Sequence, residues 1–330
     1  MILAGDVGGT NARFALFEPG GRVRVRQDSL RSADHRSLES AVRAFLGANP
    51  PTIEAATFGI AGPVVGDKAF LTNLGWDVDG RALGATLGIP KVALLNDLVA
   101  LGFGALTVPK EKLRSLRGDA LPVTTGKNLA IIAAGTGLGE AVLVWDGERH
   151  VPCATEGGHV DFAPRDRLEF ELFEFLAERF AGHVSYERLV AGPGIGNLYD
   201  FFVLAKKMVE APAVAARLAA AADRNKEIFA VAAAGESEVC AKVLSLFASL
   251  YGAEAGNLAL KSLATGGVFV CGGIAAHYAD LLARGGFMAS FAAKGRFAQL
   301  LGDVPVAIVL DTDIGLSGSA FYAARSTATI

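Results

Sequence analysis

A strand, a tight glycine turn and a returning strand are written twice in this chain, and the repetition narrows the folds open to it. The first copy is residues 5–17, GDVGGTNARFALF. Apolar Met1, Ile2 and Leu3 run through Gly5 into Asp6 and Val7, then Gly8, Gly9 and Thr10, and an apolar–polar alternation resumes through Ala12, Phe14 and Leu16. The second copy, residues 129–145, passes through Ala133-Ala134-Gly135-Thr136-Gly137-Leu138-Gly139 and returns through Ala141, Leu143 and Trp145. Adjacent glycines let backbone N–H groups approach an anion with no Cβ in the way, and a concave run of such donors binds phosphate. Thr10 adds a hydroxyl, and Asp6 at the strand end can face a phosphate-bound cation. A single such turn reads equally well as an ordinary hairpin. Two, at corresponding places in two α/β halves, suggest a duplicated fold clasping one polyphosphate.

A chain of 330 residues has room for about two domains. It is 52% hydrophobic with a mean hydropathy of +0.38, yet no run reaches the roughly 18 to 20 uninterrupted apolar residues of a spanning helix. The closest, 129–145, is rich in glycine and carries Glu140. Met1 leads straight into the first strand, so no signal peptide is expected. A net charge of −3 and a pI near 6.0 give no electrostatic footprint for nucleic acid or an anionic membrane. The basic run Arg22-Val23-Arg24-Val25-Arg26 reads as the solvated face of a strand. Cys153, Cys240 and Cys271 lie far apart with no CxxC, which fits a reduced, cytoplasmic protein without disulfides or structural zinc.

The first third reads as β-β-β-α-β-α: the hairpin, a strand at 22–27, a helix capped by Ser37, a buried strand at 55–60, an extended piece at 68–72, and a helix at 82–87. The buried strand Lys91-Val92-Ala93-Leu94-Leu95 then ends in Asn96 and Asp97, where a helix begins. Ligand-facing residues of open α/β sheets sit at such strand ends, although Asn or Asp there also serves simply as a helix cap. The polar stretch 107–127 reads as the link to a second domain. Beyond it come helices at 167–181 and 236–263, a buried strand Val268-Phe269-Val270-Cys271 ending in Gly272 and Gly273, a helix from Ala275, a last strand at 304–310 and a closing helix at 315–324.

Rival motifs fail on spacing. Gly126-Lys127-Asn128 lacks the upstream glycine and the Ser/Thr of a P-loop, and the third glycine of 135–139 comes one residue early for the dinucleotide fingerprint. Gly192-Pro193-Gly194-Ile195-Gly196 reads as a structural glycine turn. Glu156-Gly157-Gly158-His159 sets an acid and a histidine on a glycine-rich loop. A metal pair, an acid–base pair and a site for a polyol's hydroxyls compete there. Glu and neutral His suit sugar hydroxyls, whereas a metal wants more ligands nearby. Glu187, in His183-Val184-Ser185-Tyr186-Glu187-Arg188, is by itself an ordinary solvated charge.

GDVGGTNARFALF, LLNDLVALG, AAGTGLGEA, EGGHVDFAP, HVSYERLVAGPGI, GGVFVCGGI and FMASFAAKGRF occur in the order seen in the bacterial glucokinase family, which the chain resembles over nearly its whole length. That family belongs to the hexokinase–actin–heat-shock ATPase superfamily. The related repressor–kinase sugar kinases carry a cysteine-rich zinc motif after the loop histidine, and its absence favours the zinc-free glucokinase branch. The resemblance implies an α/β fold of two ribonuclease-H-like (actin/hexokinase-type) domains flanking an active-site cleft: a small domain 1–108 completed by about 311–330, and a large domain 109–310. It implies ATP and Mg²⁺, with Gly5, Asp6, Val7, Gly8, Gly9 and Thr10 as the first phosphate loop and Asp6 holding the metal through water. Gly135, Thr136 and Gly137 resemble the second phosphate loop, and Gly272 and Gly273 the turn against which adenosine lies. Asn96, Asp97, Glu156, His159 and Glu187 fall at the glucose-contacting positions, with Asp97 the catalytic base. One departure is Leu74-Gly75 in the segment 72–76, where the family often has histidine.

The implied activity is phosphorylation of D-glucose at its 6-hydroxyl, feeding glycolysis, by a cytoplasmic homodimer without nucleic-acid or membrane partners. A kinase for another hexose or amino sugar, or a non-enzymatic sugar or nucleotide sensor, are the alternatives. Because water is smaller than glucose, closure on sugar binding is expected as the guard against wasted ATP.

Overall fold

The computed structural model describes residues 1–71, 73–123 and 125–327. Thr72 of the expected strand 68–72, Thr124 of the expected link and residues 328–330 of the expected domain closure lie outside the described residues. The chain divides into two compact units. One comprises Met1–Lys110, Pro152–Ala154 and the C-terminal segment from Asp311; the other comprises Glu111–Val151 and Thr155–Leu310.

In the first unit the strands are β1 (Ile2–Val7), β2 (Asn11–Phe17), β3 (Arg24–Arg31), β4 (Ala55–Ile60), β5 (Val64–Val65), β6 (Lys68–Leu71), β7 (Trp76–Asp79) and β8 (Val92–Asn96). Five of them form a sheet in the order β3-β2-β1-β4-β8, with β1 antiparallel to β2 and parallel to β4, and β4 parallel to β8. Strand β4, AATFGI, is buried at every position, as a parallel strand covered on both faces should be. One face takes the helix Leu38–Leu46, which starts at a reciprocal Ser37–Ser40 cap and packs Leu38, Ala41, Val42 and Phe45 against Leu3, Val7, Phe14 and Phe58. On the other face, Leu316, Ala320 and Ala323 of the C-terminal helix Ile314–Thr327 cover Ile2, Ala4, Ala15, Phe17 and Ala55.

The C-terminal helix also lies against the helix Asp97–Ala105, and small residues make that approach possible. A Cβ at Gly318 would lie 1.8 Å from the Ala100 carbonyl oxygen, and one at Gly104 would lie 2.1 Å from that of Ile314. Both obstacles are backbone, so neither can move aside cheaply. Gly318→Ala is therefore expected to lower stability by about 1–3 kcal/mol through overpacking, despite alanine's better helix propensity. Urea unfolding reads it, and an unchanged midpoint would contradict the packing described.

The second unit repeats the scheme. Its strands are β9 (Leu113–Ser115), β10 (Leu129–Ala134), β11 (Leu138–Trp145), β12 (His150–Thr155), β13 (Gly267–Cys271) and β14 (Val306–Val309), in the order β12-β11-β10-β13-β14-β9. Again a hairpin, β10–β11, is extended by parallel strands, β13 and β14. These are two ribonuclease-H-like units. The core of the second gathers around the helix Glu238–Lys261, with Val239, Val243, Phe247, Leu250 and Tyr251 inside. This helix alone among the described residues is long and apolar enough to cross a membrane, and 78% of its apolar window is buried inside the protein.

Several sequence-based expectations need correction. The strand expected at 22–27 begins at Arg24 and continues to Arg31 as an exposed edge. The expected link at 107–127 contains β9, which pairs antiparallel with β14. The helix expected from Ala275 starts at Gly273 and stops at His277. Gly192-Pro193-Gly194-Ile195-Gly196 is not a turn: it opens the helix Gly192–Asp200, with Pro193 in the first turn, where its missing N–H costs nothing. Gly194 is there because a Cβ would meet the Leu189 backbone at 2.5 Å. Strands β5, β7 and β12 have no counterpart in the sequence reading, whereas β6 falls on the extended piece expected at 68–72 and is the middle strand of the antiparallel sheet β5-β6-β7.

Candidate active site

In the first unit, the register of three parallel strands aligns their C-terminal ends. Val7 pairs with Ile60 and Ile60 with Asn96, so the first glycine turn and the Asn96-Asp97 pair leave the same edge of the sheet, two strand spacings (about 10 Å) apart. Asn96 is the N-cap of the helix Asp97–Ala105. Its Oδ1 accepts from the Leu98 N–H at 2.9 Å, and its Nδ2 donates to the Gly62 carbonyl at 3.1 Å. The capping role weighed from sequence is thus real, and it leaves the side chain with a fixed orientation. Asp97 Oδ1 also accepts from the Leu98 N–H at 2.9 Å, which turns its carboxylate about the helix start. Both residues are partly buried.

At the turn itself Gly8 N–H closes on the Asn11 carbonyl at 3.0 Å, while Gly9 and Thr10 are exposed. Asn73 lies beside this loop, 3.3 Å from where a Gly9 Cβ would sit. Asp6 stands directly opposite Arg13 in the hairpin and forms an ion pair with it. Arg13 also donates to the Thr312 carbonyl at 3.1 Å and to Asp313 at 3.2 Å, and Asp313 takes Arg24 at 2.8 Å and Gln27 at 3.1 Å. Burial pushes the Asp313 carboxyl up. The hydrogen bonds from Gln27 and Arg24, with the charges of Arg24 and Arg13, outweigh it and hold the group below its usual range.

The second unit brings its own candidates together around β10 and β11. Gly135 and Gly272 follow the ends of the parallel neighbours β10 and β13. Gly272 has φ 93°, and a Cβ there would lie 2.5 Å from the Ala134 carbonyl oxygen. The hydroxyl of Tyr251 ties this edge from below, accepting from the Ala134 N–H at 3.1 Å. Glu187 is not a solvated charge: its Oε2 accepts from the Leu138 N–H at 3.0 Å and lies 2.5 Å from where a Gly137 Cβ would sit. The segment carrying Glu156 and His159 packs on the same hairpin, because Gly158 approaches the Leu138 carbonyl to within 2.0 Å of an added Cβ. A bridge between Asp161 and Ser185, with Phe162 N–H donating to Val184 at 2.8 Å, then sets the Glu156–His159 and Glu187 segments side by side. Glu156 and His159 are exposed, so both present free hydrogen-bonding surface.

A model of the glucokinase family matches residues 3–326. The chain belongs to the glucokinase family. The glucokinase of Nostoc punctiforme is 40% identical over 341 aligned residues, 98% of this chain and 99% of that protein. The crystal structure of a glucokinase from an Antarctic psychrotroph is similar at TM-score 0.81 and 31% identity, over 98% of each chain. A ROK family glucokinase from Streptomyces griseus, solved with glucose and AMPPNP, shares the fold at TM-score 0.64 and 21% identity, over 98% of this chain and 99% of that one.

Three features of this glucokinase-family chain escaped the sequence reading. For Arg13 the available signal is the two-glycine turn, whose register sets it opposite Asp6. Gly192 was passed over as structural, yet its N–H donates to the Gly135 carbonyl at 2.8 Å and so fixes the second glycine turn. Glu140, inside β11, carried no signal of its own.

Proposed function

We propose that this chain transfers the γ-phosphoryl group of ATP to the 6-hydroxyl of D-glucose. Family membership along almost the full length carries the reading, with 40% identity to a glucokinase. The row that aligns Asn96-Asp97 with the first glycine turn supports it on physical grounds.

Phosphoryl transfer asks mainly for positioning and charge neutralisation. The backbone N–H groups of Gly8, Gly9 and Thr10, and those of Gly135, Thr136 and Gly137, are assigned to the phosphates, and Gly272 and Gly273 to the adenosine. Asp97, its carboxylate oriented by the Leu98 amide, accepts the proton of the 6-hydroxyl as that oxygen attacks. Asn96, Glu156, His159 and Glu187 hold the remaining hydroxyls. Mg²⁺ keeps most of its waters and takes one or two carboxylates with substrate phosphates, so a single strand-end carboxylate, Asp6, already balanced by Arg13, fits a water-mediated role. Bound there, the ion supplies charge neutralisation to the phosphate oxygens. The proposal extends to a cytoplasmic homodimer, on the strength of the family resemblance.

A panel of hexoses and amino sugars with ATP and Mg²⁺, read by ADP release, tests the assignment. The highest kcat/KM is expected with glucose, and a clear preference for another sugar would move it to the alternative kinase. Glu156→Ala is expected to raise the glucose KM at least tenfold, since it leaves a sugar hydroxyl without the charged acceptor assigned to it. A KM close to that of the unmodified protein would remove Glu156 from the site.

A further inference from the structure

Glu140 lies on β11 two residues beyond Leu138 and is 1% exposed. It sits beneath the loop 156–159. A Cβ at Gly157 would lie 2.0 Å from Glu140 Oε2, so that loop rests on this carboxyl with no side chain between. Thr155 Oγ1 links the two, donating to the Glu140 carbonyl at 3.1 Å and accepting from the Gly157 N–H at 3.1 Å. Yet Glu140 Oε1 is buried without a hydrogen-bond partner among the described residues. Glu254, whose carboxyl lies within hydrogen-bonding reach of Glu140, is fully buried and already takes Asn257 Nδ2 at 2.8 Å and Lys261 Nζ at 3.3 Å. One lysine, its side chain 55% exposed, cannot offset two buried carboxylates. A proton between the two acids resolves this, because a protonated carboxyl becomes a donor.

We propose that Glu140 is a positioning residue for the loop 156–159, held in place by a proton shared with Glu254, and that the loop loosens its grip on the sugar when that proton leaves. The sugar half of this rests on the glucokinase reading above. Burial, then the charge of Glu254, pushes Glu140 up to about 8, with Lys261 pulling the other way. Other ionisable groups surround the pair: Arg165 and Glu169 act on Lys294 together with Glu254, and Cys271 at the end of β13 lies by Tyr251. The helix Glu238–Lys261 adds Tyr251. The turn Tyr186–Arg188 adds Tyr186, whose hydroxyl accepts from Asn257 at 3.1 Å. Lys294 donates to Asn257 Oδ1 at 2.5 Å. Strand β12 carries His150 and Cys153, the loop itself carries Glu156 and His159, and β10 carries none. The sign follows: with its folded value raised, Glu140 contributes stability that is complete below the unfolded carboxylate range and lost as pH rises through about 8.

The test compares the unmodified protein with Glu140→Gln and Glu254→Gln from pH 6.5 to 9.5. If only the protonated form holds the loop, kcat/KM for glucose falls about tenfold between pH 7 and 9, mostly through KM. Glu140→Gln, which copies the neutral acid, is expected to match the unmodified protein within about twofold at pH 6.5 and to stay flat above it. Glu254→Gln removes the neighbouring charge and moves the inflection to lower pH. Hydrogen exchange without sugar, corrected for intrinsic rates, should show the amides of Gly157–His159 losing protection over the same range in the unmodified protein but not in Glu140→Gln. An inflection shared by Glu140→Gln, or equal exchange in the two proteins, overturns the proposal. Failure to phosphorylate any sugar would instead overturn the glucokinase reading, and the exchange data would still decide whether the proton holds the loop.

Discussion

Asp97→Asn is expected to lower kcat by at least 10²-fold, and up to about 10⁴-fold, while the protein stays folded. Asparagine keeps the shape of the side chain and an oxygen that accepts from the Leu98 amide, and Asn96 remains as the helix cap. What is lost is the proton acceptor proposed for the attacking hydroxyl. Because the general base acts in the transition state, the loss should appear in kcat with little change in either KM. Turnover near that of the unmodified protein, with circular dichroism unchanged in both, would end the assignment of Asp97 as the base.

A second large effect is expected at Glu187, and it separates two roles of one side chain. The carboxylate that is assigned to the sugar also accepts the Leu138 N–H at the return of the second glycine hairpin. Glu187→Ala strands that amide, a penalty of about 1–3 kcal/mol, and removes the sugar contact as well. The KM values for ATP and glucose should both rise, with kcat/KM falling about 10²-fold or more. Glu187→Gln retains an acceptor for Leu138, so its KM for ATP should return close to normal while its KM for glucose stays high. An ATP KM that ignores Glu187→Ala would show that the hairpin does not depend on this bond.

Much of the arrangement was legible because it is local. A strand, two glycines and a strand follow one another in the chain, so both hairpins, and the register that sets Asp6 opposite Arg13, can be read from the period-two pattern. The Asn96-Asp97 junction was legible for the same reason, since the strand and the helix it joins are adjacent. Strands β5, β7 and β9 run only two to four residues, too short for a period to declare itself. The helix Gly192–Asp200 was misread because its opening glycines look like turn residues. Close neighbours account for them instead: the Leu189 backbone at Gly194 and the Gly135 carbonyl at Gly192. Glu140 and Glu254 come together only through the packing of a long helix on β10 and β13, and no local pattern foretells such a pair.

The C-terminal helix has a consequence for how the chain is made. Some 200 residues separate Lys110 from Asp311, yet both belong to one unit. At about 5–20 residues per second, a ribosome would finish β8 roughly 12–46 s before the helix that covers Ile2, Ala15 and Phe17. During that interval the apolar face of β1, β2 and β4 has no partner, and the second unit can complete its own core first. The apolar face of this sheet is therefore closed by the last helix of the chain to be made, so the first unit completes its core only at the end of synthesis.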